Sequence, residues 1–330
     1  MRYLIPHKLD QKGLTNHALP LVIVFVLCFG VIMTFRTVTS HAAGVSTDIK
    51  SGVSGYCLDL HNDSTSNNAV IDSWSCNGSA AQKWDIGIGL IKHGDNQCLA
   101  VADNGTTVGD KVVLDSCSHA AGQVWLRNQG GFENPNSGLC LSIPNSQTTQ
   151  QLDISSCSYI GQPYEIWTST TKPSCADETK GVKIACITEQ EWIKWQSGTA
   201  NHTALLNKYT DGASYEEWCA DFVSYVYKEA GYPFTKGESN SWDENIASNI
   251  QNMGFVRHSK ADYDPQPGDV AYFDYGGGHV EIVVSGGQTP TFIYGNSATI
   301  DPTTGNGQMK ANTVTSKGVE GQVEYYLSPS

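Results

Sequence analysis

The feature that most constrains this chain is a cysteine-bounded unit that occurs three times between residues 50 and 170. Its first cysteines, Cys57, Cys98 and Cys140, recur after 41 and then 42 residues. Each unit continues with an apolar strand, a polar turn, a second strand, another cysteine and a closing tryptophan. A lone unit of this size cannot bury its apolar face. Three copies around a pseudo-threefold axis predict a β-trefoil, whereas a propeller needs at least four.

The cysteine count gives a second constraint. Of the ten cysteines, Cys28 lies in the N-terminal apolar segment, which leaves an odd number. The repeat favours three disulfides, and a fourth pair is local; the pairs are Cys57–Cys76, Cys98–Cys117, Cys140–Cys157 and Cys175–Cys186. Cys219 is left over. In an exported chain, a left-over cysteine indicates a reactive thiol or an intermolecular bridge.

The N-terminus predicts an export signal. Three basic residues, Arg2, Lys8 and Lys12, precede an apolar run at 19–33 and small residues at 40–42 that suit cleavage. The run is shorter than the roughly 20 residues that a spanning helix needs. An uncleaved membrane anchor and a buried core helix are the alternatives. Export to an oxidising compartment would permit disulfides.

The charge of the chain excludes one class of partner. The formal net charge is −13, and no run of basic residues follows the N-terminal segment. Nucleic acid and anionic lipid both require clustered lysine and arginine, so we expect no nucleic-acid partner. The sequence contains no Cys-x-x-Cys or His-x-x-x-His spacing, so we expect no metal. No organic cofactor is implied.

Each trefoil unit ends on a short motif ahead of its tryptophan. The three copies read Gln82-Lys83-Trp84, Gln123-Val124-Trp125 and, with an acidic replacement, Glu165-Ile166-Trp167. Together with the cysteine spacing, these motifs resemble the ricin B-type lectin family of β-trefoils. The Trp and Gln of this motif mostly build the core, so by themselves they indicate fold rather than sugar binding.

The lectin resemblance implies a sugar site in the first unit. In that family an Asp two residues after the first Cys and an aromatic ring two residues before the second hold the sugar. The first unit alone supplies both, as Asp59 and Trp74, with Gln82 nearby. The carboxylate would accept hydrogen bonds from hydroxyls, and the ring would stack on the apolar sugar face. The alternative is a trefoil that binds protein or acts as a spacer.

Beyond a polar stretch at 168–174, the pattern changes to helices followed by strands, which indicates an α+β domain. Thr188 with Glu191 and Ser214 with Glu217 are capping-box pairs that predict two helix starts. Further elements are expected as a helix over Trp242–Asn252 and as strands near 269–274, 279–284 and 291–295. Cys219 then falls early on a helix, where the helix dipole favours the thiolate.

A thiolate nucleophile needs a base, and His279 is the candidate. It follows Gly276-Gly277-Gly278 and begins a β-branched strand. Such a glycine loop lets the backbone of a substrate approach closely. The other histidines lie in the N-terminal segment, in the trefoil or, for His202 and His258, in loop-like polar contexts.

Three motifs in the second half resemble the CHAP family (cysteine, histidine-dependent amidohydrolases/peptidases). They are Trp218-Cys219-Ala220-Asp221-Phe222-Val223, Pro267-Gly268-Asp269-Val270-Ala271-Tyr272-Phe273 and Gly278-His279-Val280. These papain-like enzymes cut peptidoglycan. The resemblance implies Cys219 as nucleophile, His279 as base, and Asn296 on the following strand as the group that orients the imidazole. The backbone N–H of Cys219 would belong to the oxyanion hole.

Two positions depart from the CHAP pattern. Tyr294 stands where many relatives carry Glu, and Glu281 stands where many carry a small residue. By strand alternation Glu281 shares a face with His279, so it is the alternative orienting group. Asp269 is expected to be a turn residue rather than a catalytic one.

The sequence therefore predicts a multidomain protein, an all-β trefoil of three roughly 41-residue repeats followed by an α+β papain-like CHAP domain. The expected segments are a signal peptide or uncleaved anchor (1–43), the lectin trefoil (44–170), a linker (171–178) and the catalytic domain (179–330). The implied function is a peptidoglycan hydrolase, either an N-acetylmuramoyl-L-alanine amidase or an endopeptidase, with a glycan as second ligand. We expect a secreted, cell-wall-associated monomer, or a membrane-anchored one if the signal is retained. The alternative is a non-catalytic carbohydrate-binding adhesin with an inactive CHAP scaffold.

Overall fold

The computed structural model describes most of the chain beyond the N-terminal segment. The described ranges are 46–146, 148–158, 162–169, 175–176, 178–212, 217–233, 255–274, 278–314 and 323–329. Gly44–Ser330 form one compact unit. The predicted signal peptide, the predicted helix Trp242–Asn252 and Ser214 lie outside the described residues. In the ranges given, no helix is long and apolar enough to cross a membrane.

The first domain is built from short antiparallel strands. They are β1 Lys50–Ser51, β2 Tyr56–Leu60, β3 Ala69–Ser75, β4 Asp85–Ile86, β5 Ile91–His93, β6 Gln97–Val101, β7 Val112–Ser116, β8 Leu126–Asn128, β9 Gly131–Asn134, β10 Leu139–Ser142, β11 Asp153–Ser156 and β12 Trp167–Thr168. One sheet has the order β12-β1-β2-β3-β7-β6-β5-β4 and the other β11-β10-β9-β8. Isolated bridges such as Asp72 to Gln151 join the two sheets.

The three sequence repeats form the same hydrogen bond in the structure, once in each unit. Each closing tryptophan is buried, and its indole N–H donates at 3.0 Å to a buried leucine carbonyl of the same unit. The pairs are Trp84–Leu58, Trp125–Leu99 and Trp167–Leu141. A 3₁₀ turn follows the first strand of each unit, and its middle residue is left-handed; these residues are Asn62, Asp103 and Asn145. Asn and Asp tolerate the left-handed conformation better than most residues, so the backbone of the turn explains why a polar residue stands there.

The structure contains the four disulfides that the spacing favoured. Three of them, Cys57–Cys76, Cys98–Cys117 and Cys140–Cys157, each close one trefoil unit. The fourth, Cys175–Cys186, ties the start of the second domain to its first helix. Crosslinks of this kind restrict the unfolded chain and thereby stabilise the fold.

The second domain packs helices against one antiparallel sheet. Its elements are α1 Lys180–Trp195, α2 His202–Tyr209, α3 Cys219–Glu229, β13 Val256–Ser259, β14 Val270–Phe273, β15 His279–Ser285, β16 Thr291–Tyr294, β17 Lys310–Thr313 and β18 Tyr325–Ser328. The strand order is β13-β18-β14-β15-β16-β17. The central strand β15 is buried along its whole length, and α1 and α3 both pack against it. Helix α3 ends at Glu229, and Gly231 just after it has a φ of 91°, a conformation that suits glycine after a helix.

Two expectations about local structure are wrong. Thr188 and Glu191 do not open a helix; they lie inside α1, which begins at Lys180. The hydroxyl of Thr188 donates to the carbonyl oxygen of Ile184 at 2.8 Å, a bond within the helix rather than a cap. The carboxylate of Glu191 instead forms ion pairs of 2.6 Å with two lysines, which are Lys194 and Lys208. The capping pattern was outweighed by apolar residues upstream that bury the earlier turns.

His202 and His258 do not lie in loops either. His202 is the first residue of α2, and His258 lies in β13. Nδ1 of His202 is 2.6 Å from Oδ2 of Asp301, and its ring stacks on Trp195. Contacts between residues distant in sequence stabilise these elements, and a local polar context does not reveal such contacts.

The two domains share a hydrophobic core. Leu126 of the trefoil strand β8 is buried in the same apolar cluster as side chains of α1, α3 and β15. The indole N–H of Trp192 on α1 donates to the carbonyl oxygen of Arg127 at 3.0 Å. The neighbouring Glu189 is buried between Arg127 and the N–H of Gly89, and burial raises its pKa to about 7. Helix α1 of the second domain therefore packs against the first domain.

Replacement of Leu126 tests this shared core. We expect Leu126→Ala to cost about 2–5 kcal/mol because it leaves a cavity. Although the residue belongs to the trefoil, the loss should appear in the second domain, as roughly 30-fold or greater loss of amide-exchange protection in α3 and β15. Hydrogen exchange with mass spectrometry resolves those peptides. Leu99→Ala, in the trefoil core, is the matched control and should affect β2 and β6 first. Unchanged exchange in α3 and β15 of Leu126→Ala would contradict the shared core.

Candidate functional site

Cys219 is the first residue of α3 and is only 3% exposed. It is the described cysteine that forms no disulfide. The first hydrogen bond of the helix runs from the N–H of Phe222 to the carbonyl oxygen of Trp218 at 3.0 Å. The N–H of Cys219 thus belongs to the N-terminal end of the helix, ahead of its internal hydrogen bonds. There the helix dipole stabilises negative charge, so the position favours the thiolate.

His279 is the first residue of β15. The residue before it, Gly278, has a φ of 98°, a conformation that glycine adopts at little cost. His279 is 7% exposed, and its imidazole has two aromatic rings nearby. The ring of Tyr294 meets it edge-on at 5.1 Å, and the ring of Phe273 lies at 6.2 Å. The other two glycines of the predicted loop, Gly276 and Gly277, lie outside the described residues.

Glu281 lies beside His279 on the same face of β15. Its Oε1 is 3.4 Å from Nε2 of His279, an ion-pair distance, and its side chain is buried. Burial raises the pKa of Glu281, and the imidazole of His279 lowers it. Burial, with Glu281 close by, raises the pKa of Tyr294 to about 12, so this phenol is neutral at physiological pH.

Asn296 lies just past the end of β16, in the left-handed conformation with a φ of 58°. Strands β15 and β16 are antiparallel, with Ile282 opposite Ile293. Continued toward the start of β15, this register places Tyr294 opposite Glu281 and brings Asn296 level with His279. Asn296 and His279 therefore lie at the same end of the sheet.

Trp218 connects that end of the sheet to α3. A Cβ on Gly295 would stand 2.3 Å from two carbons of the Trp218 ring, so the indole packs directly on the Gly295 backbone. The indole N–H donates to the carbonyl oxygen of Gly307 at 3.1 Å. Through Trp218, the N-terminus of α3 with Cys219 is fixed beside the turn that carries Asn296.

Asp269 behaves as a turn residue. Its carboxylate accepts hydrogen bonds from the N–H of Gln266 at 2.8 Å and from the hydroxyl of Tyr263 at 2.9 Å. Burial raises the pKa of Asp269 to about 7. Both hydrogen-bond partners lie in the segment that leads into β14.

Two of the three predicted sugar-site residues, Asp59 and Trp74, lie on the β2–β3 hairpin. Asp59 is paired with Asp72, and Trp74 follows Asp72 by two residues, so the three side chains share one face. Trp74 is 46% exposed, which leaves its ring free to stack on a ligand. Gln82 is buried; its amide donates to Oδ2 of Asp59 at 2.8 Å and to the carbonyl oxygen of Ser75 at 3.0 Å. Gln82 thus holds the carboxylate of Asp59 from inside the domain.

Sequence reasoning missed Asp72 and His61 at this site. Oδ2 of Asp72 is 2.7 Å from Nδ1 of His61. Burial raises the pKa of Asp72, and that of Asp59 is raised by burial and by Asp72. Strand alternation from Trp74 would have placed Asp72 on this face. His61 could not be found that way, because its position depends on the left-handed turn after β2.

The other two trefoil units offer no such pair in the part of the chain that the structure describes. At the two sugar-binding positions the second unit has Ala100 and Asp115, and the third has Ser142 and Ser155. The hydroxyl of Ser155 donates to Glu165 at 2.9 Å, so both are engaged in the scaffold. Among the residues described, no group of three or more His, Cys, Asp or Glu side chains is placed to hold a metal ion.

A methyl group on Gly295 tests the role of Trp218. In Gly295→Ala the added carbon would overlap the indole, and overpacking of this kind typically costs about 1–3 kcal/mol. We expect Tm to fall by about 5 °C and the alkylation rate of Cys219 to change, because the start of α3 must shift. Gly198→Ala is the matched control, since a Cβ there meets no atom within 4 Å. Equal Tm and equal alkylation for the two variants would contradict the role given to Trp218.

Comparison with known proteins agrees with the two-domain organisation. The family model described as "Ricin-type beta-trefoil lectin domain" matches residues 45–167, and the model described as "CHAP domain" matches residues 208–296. Ribosome-inactivating protein PMRIPt of Polygonatum multiflorum is 30% identical over 103 residues, 30% of this chain and 17% of that protein. Nigrin b of Sambucus nigra is 25% identical over 207 residues, 61% of this chain and 35% of that protein. The chain thus spans about a sixth and a third of these two curated relatives.

Two solved structures show local similarity to part of this chain. The designed threefold symmetric protein ThreeFoil is 26% identical and aligns with 38% of this chain and 99% of its own, at a TM-score of 0.34. The agglutinin from Abrus precatorius is 25% identical and aligns with 39% of this chain and 50% of its own, also at 0.34. The family matches and the observed elements agree in order along the chain, so this protein carries a ricin-type beta-trefoil lectin domain followed by a CHAP domain.

Proposed function

We propose that the protein is an exported, cysteine-dependent peptidoglycan hydrolase that its lectin domain holds on glycan. A CHAP domain suggests amidase or peptidase hydrolysis, and a lectin domain implies glycan binding. The observation that carries the proposal is the placement of Cys219 at the N-terminus of α3, beside the end of the sheet where His279 and Asn296 lie. Four disulfides are in keeping with an oxidising compartment outside the cytoplasm.

The proposed reaction is acyl transfer through a thioester. The thiolate of Cys219 attacks the carbonyl carbon of an amide, and the N–H of Cys219 at the helix end stabilises the oxyanion. The imidazolium of His279 gives its proton to the leaving nitrogen as the C–N bond breaks. Water then attacks the acyl-enzyme while His279 takes a proton from it, which releases a carboxylic acid and regenerates the thiol.

The scissile bond is the amide between muramic acid and L-alanine or a peptide bond of the stem or cross-bridge. Both are amides of an insoluble polymer, so retention on that polymer raises the effective concentration of the enzyme. With a net charge of −13, the protein is repelled by anionic wall polymers. Lectin affinity for sugar would then be the force that retains it on the wall.

Loss of the nucleophile tests the enzymatic proposal. Cys219→Ala and His279→Ala should reduce fragment release from purified peptidoglycan by at least about 10³-fold, because the thioester can no longer form. Mass spectrometry of the soluble products distinguishes intact stem peptides, made by an amidase, from shortened or unlinked stems, made by an endopeptidase. Retained binding to insoluble peptidoglycan serves as the folding control. If wild type releases nothing from several wall chemotypes, the enzymatic proposal fails and the adhesin takes its place.

Loss of the stacking ring tests the lectin proposal. Trp74→Ala should weaken binding to insoluble peptidoglycan by about tenfold, since aromatic contacts of this kind contribute about 1 kcal/mol or more. Turnover of soluble fragments should stay at the wild-type rate. Val108→Ala is the matched control, because it also removes an exposed apolar side chain from the trefoil, in another unit. Wild-type retention by Trp74→Ala in a sedimentation assay would remove Trp74 from the sugar site.

A further inference from the structure

We infer that Glu281 is the positioning residue of the catalytic base, the group that orients His279 toward Cys219. The inference rests on the proposed function, because it concerns the same site. It assigns the orienting role to a carboxylate on the histidine's own strand rather than to Asn296 on the next one.

The contact between the two side chains is direct and buried. Oε1 of Glu281 is 3.4 Å from Nε2 of His279, with 2% and 7% of the residues exposed. A buried carboxylate is costly unless a cation or hydrogen-bond donors compensate it. Among the described residues, the basic group within 4 Å of Glu281 is this imidazole. The other oxygen, Oε2, is buried and accepts no hydrogen bond from a described residue.

Asp269 directly precedes the neighbouring strand β14 and is an example of a structural carboxylate in this domain. It accepts two hydrogen bonds, from Gln266 and from Tyr263, and both contacts hold together the segment before β14. Glu281, by contrast, lies within a strand, and it forms an ion pair with the proposed base, His279. This difference separates a carboxylate that builds the fold from one that acts on the site.

Glu281 contacts Nε2 of His279, and this contact determines which ring nitrogen can accept a proton. When the N–H at Nε2 points to a carboxylate, the neutral imidazole carries its acceptor lone pair on Nδ1. Nδ1 of His279 is then the atom that takes the proton from the thiol of Cys219. The resulting imidazolium keeps its Nε2–H on Glu281, and the nearby anion stabilises the new positive charge. The proton moves from sulfur to Nδ1, and Glu281 neither gains nor loses a proton in this step.

The described side chains that border this pair on the neighbouring strands are neutral at physiological pH. Tyr294 on β16 faces His279 edge-on, and its phenol is neutral at physiological pH. Tyr326 on β18 also faces Glu281, and burial with the charges of Asp269 and Glu281 raises the pKa of Tyr326 far above neutrality. On β14, the residue opposite Glu281 is Ala271, which does not titrate. Below about pH 10 these neighbours therefore stay uncharged.

The test is the pH dependence of Cys219 alkylation by iodoacetamide, measured on the full chain without substrate. Wild type should react well below pH 8.5, the ordinary thiol range. In Glu281→Gln, which keeps shape and removes charge, the midpoint should rise by about one pH unit, with about tenfold slower reaction at pH 6. Glu324→Gln is the matched control, since Glu324 is 44% exposed and pairs with Lys260. Its profile should match wild type.

Two outcomes overturn the inference. One is a Glu281→Gln profile that superimposes on wild type; the other is a larger shift in Asn296→Ala than in Glu281→Gln. If Glu281→Gln fails to fold, ¹⁵N NMR of histidine-labelled wild type decides instead. The neutral imidazole of His279 should then carry its proton on Nε2, and a proton on Nδ1 would overturn the inference. Failure of the proposed function would appear separately, as a reactive Cys219 in a protein that releases no peptidoglycan fragments.

Discussion

The packing of Trp218 against the backbone of Gly295 is the contact on which the proposed active site depends. The indole leaves no room for a side chain at residue 295, and its N–H is held by Gly307. Because Cys219 follows Trp218 directly and Asn296 follows Gly295, one contact fixes two site residues at once. Behind it, Trp218 stacks with Trp195 and Tyr209, so the helices hold the indole in place. A site built in this way is positioned by buried packing rather than by a loop.

The lectin domain is part of this packing. Trp192 lies on the same helix as Trp195 and donates its indole N–H to the trefoil, while Leu126 of the trefoil enters the core of the second domain. The trefoil therefore contacts the CHAP domain over a buried surface as well as through the chain. Under the proposed function, hydrolysis on the wall would require that one fixed geometry lets Trp74 reach a sugar and Cys219 reach an amide. A glycan bound to Trp74 at the wrong distance from an amide would retain the protein without bringing a bond to Cys219.

Much of the fold could be predicted because its causes are local or repeated. The spacing of Cys57, Cys98 and Cys140 encodes a structural unit, and each copy repeats the same tryptophan hydrogen bond. The start of α3 at Cys219 and the start of β15 at His279 were also predictable. The start of α1 was not, because the Thr188–Glu191 pattern is a capping signal that long-range burial overrides. His202 was misplaced for the same reason, since Asp301, distant in sequence, holds it.

The relation between the two departures from the CHAP pattern, at residues 281 and 294, could not be predicted from the sequence. In the sequence they are thirteen residues apart and look independent. The register of β15 and β16 makes them cross-strand neighbours on the face that carries His279. A carboxylate at either of these two positions would therefore lie on the face that carries His279. Alternation predicts that Glu281 faces His279, but only the packing shows that the ring of Tyr294 meets the imidazole edge-on. The surroundings of His279 are thus formed by residues of two strands, and no single-strand motif contains both.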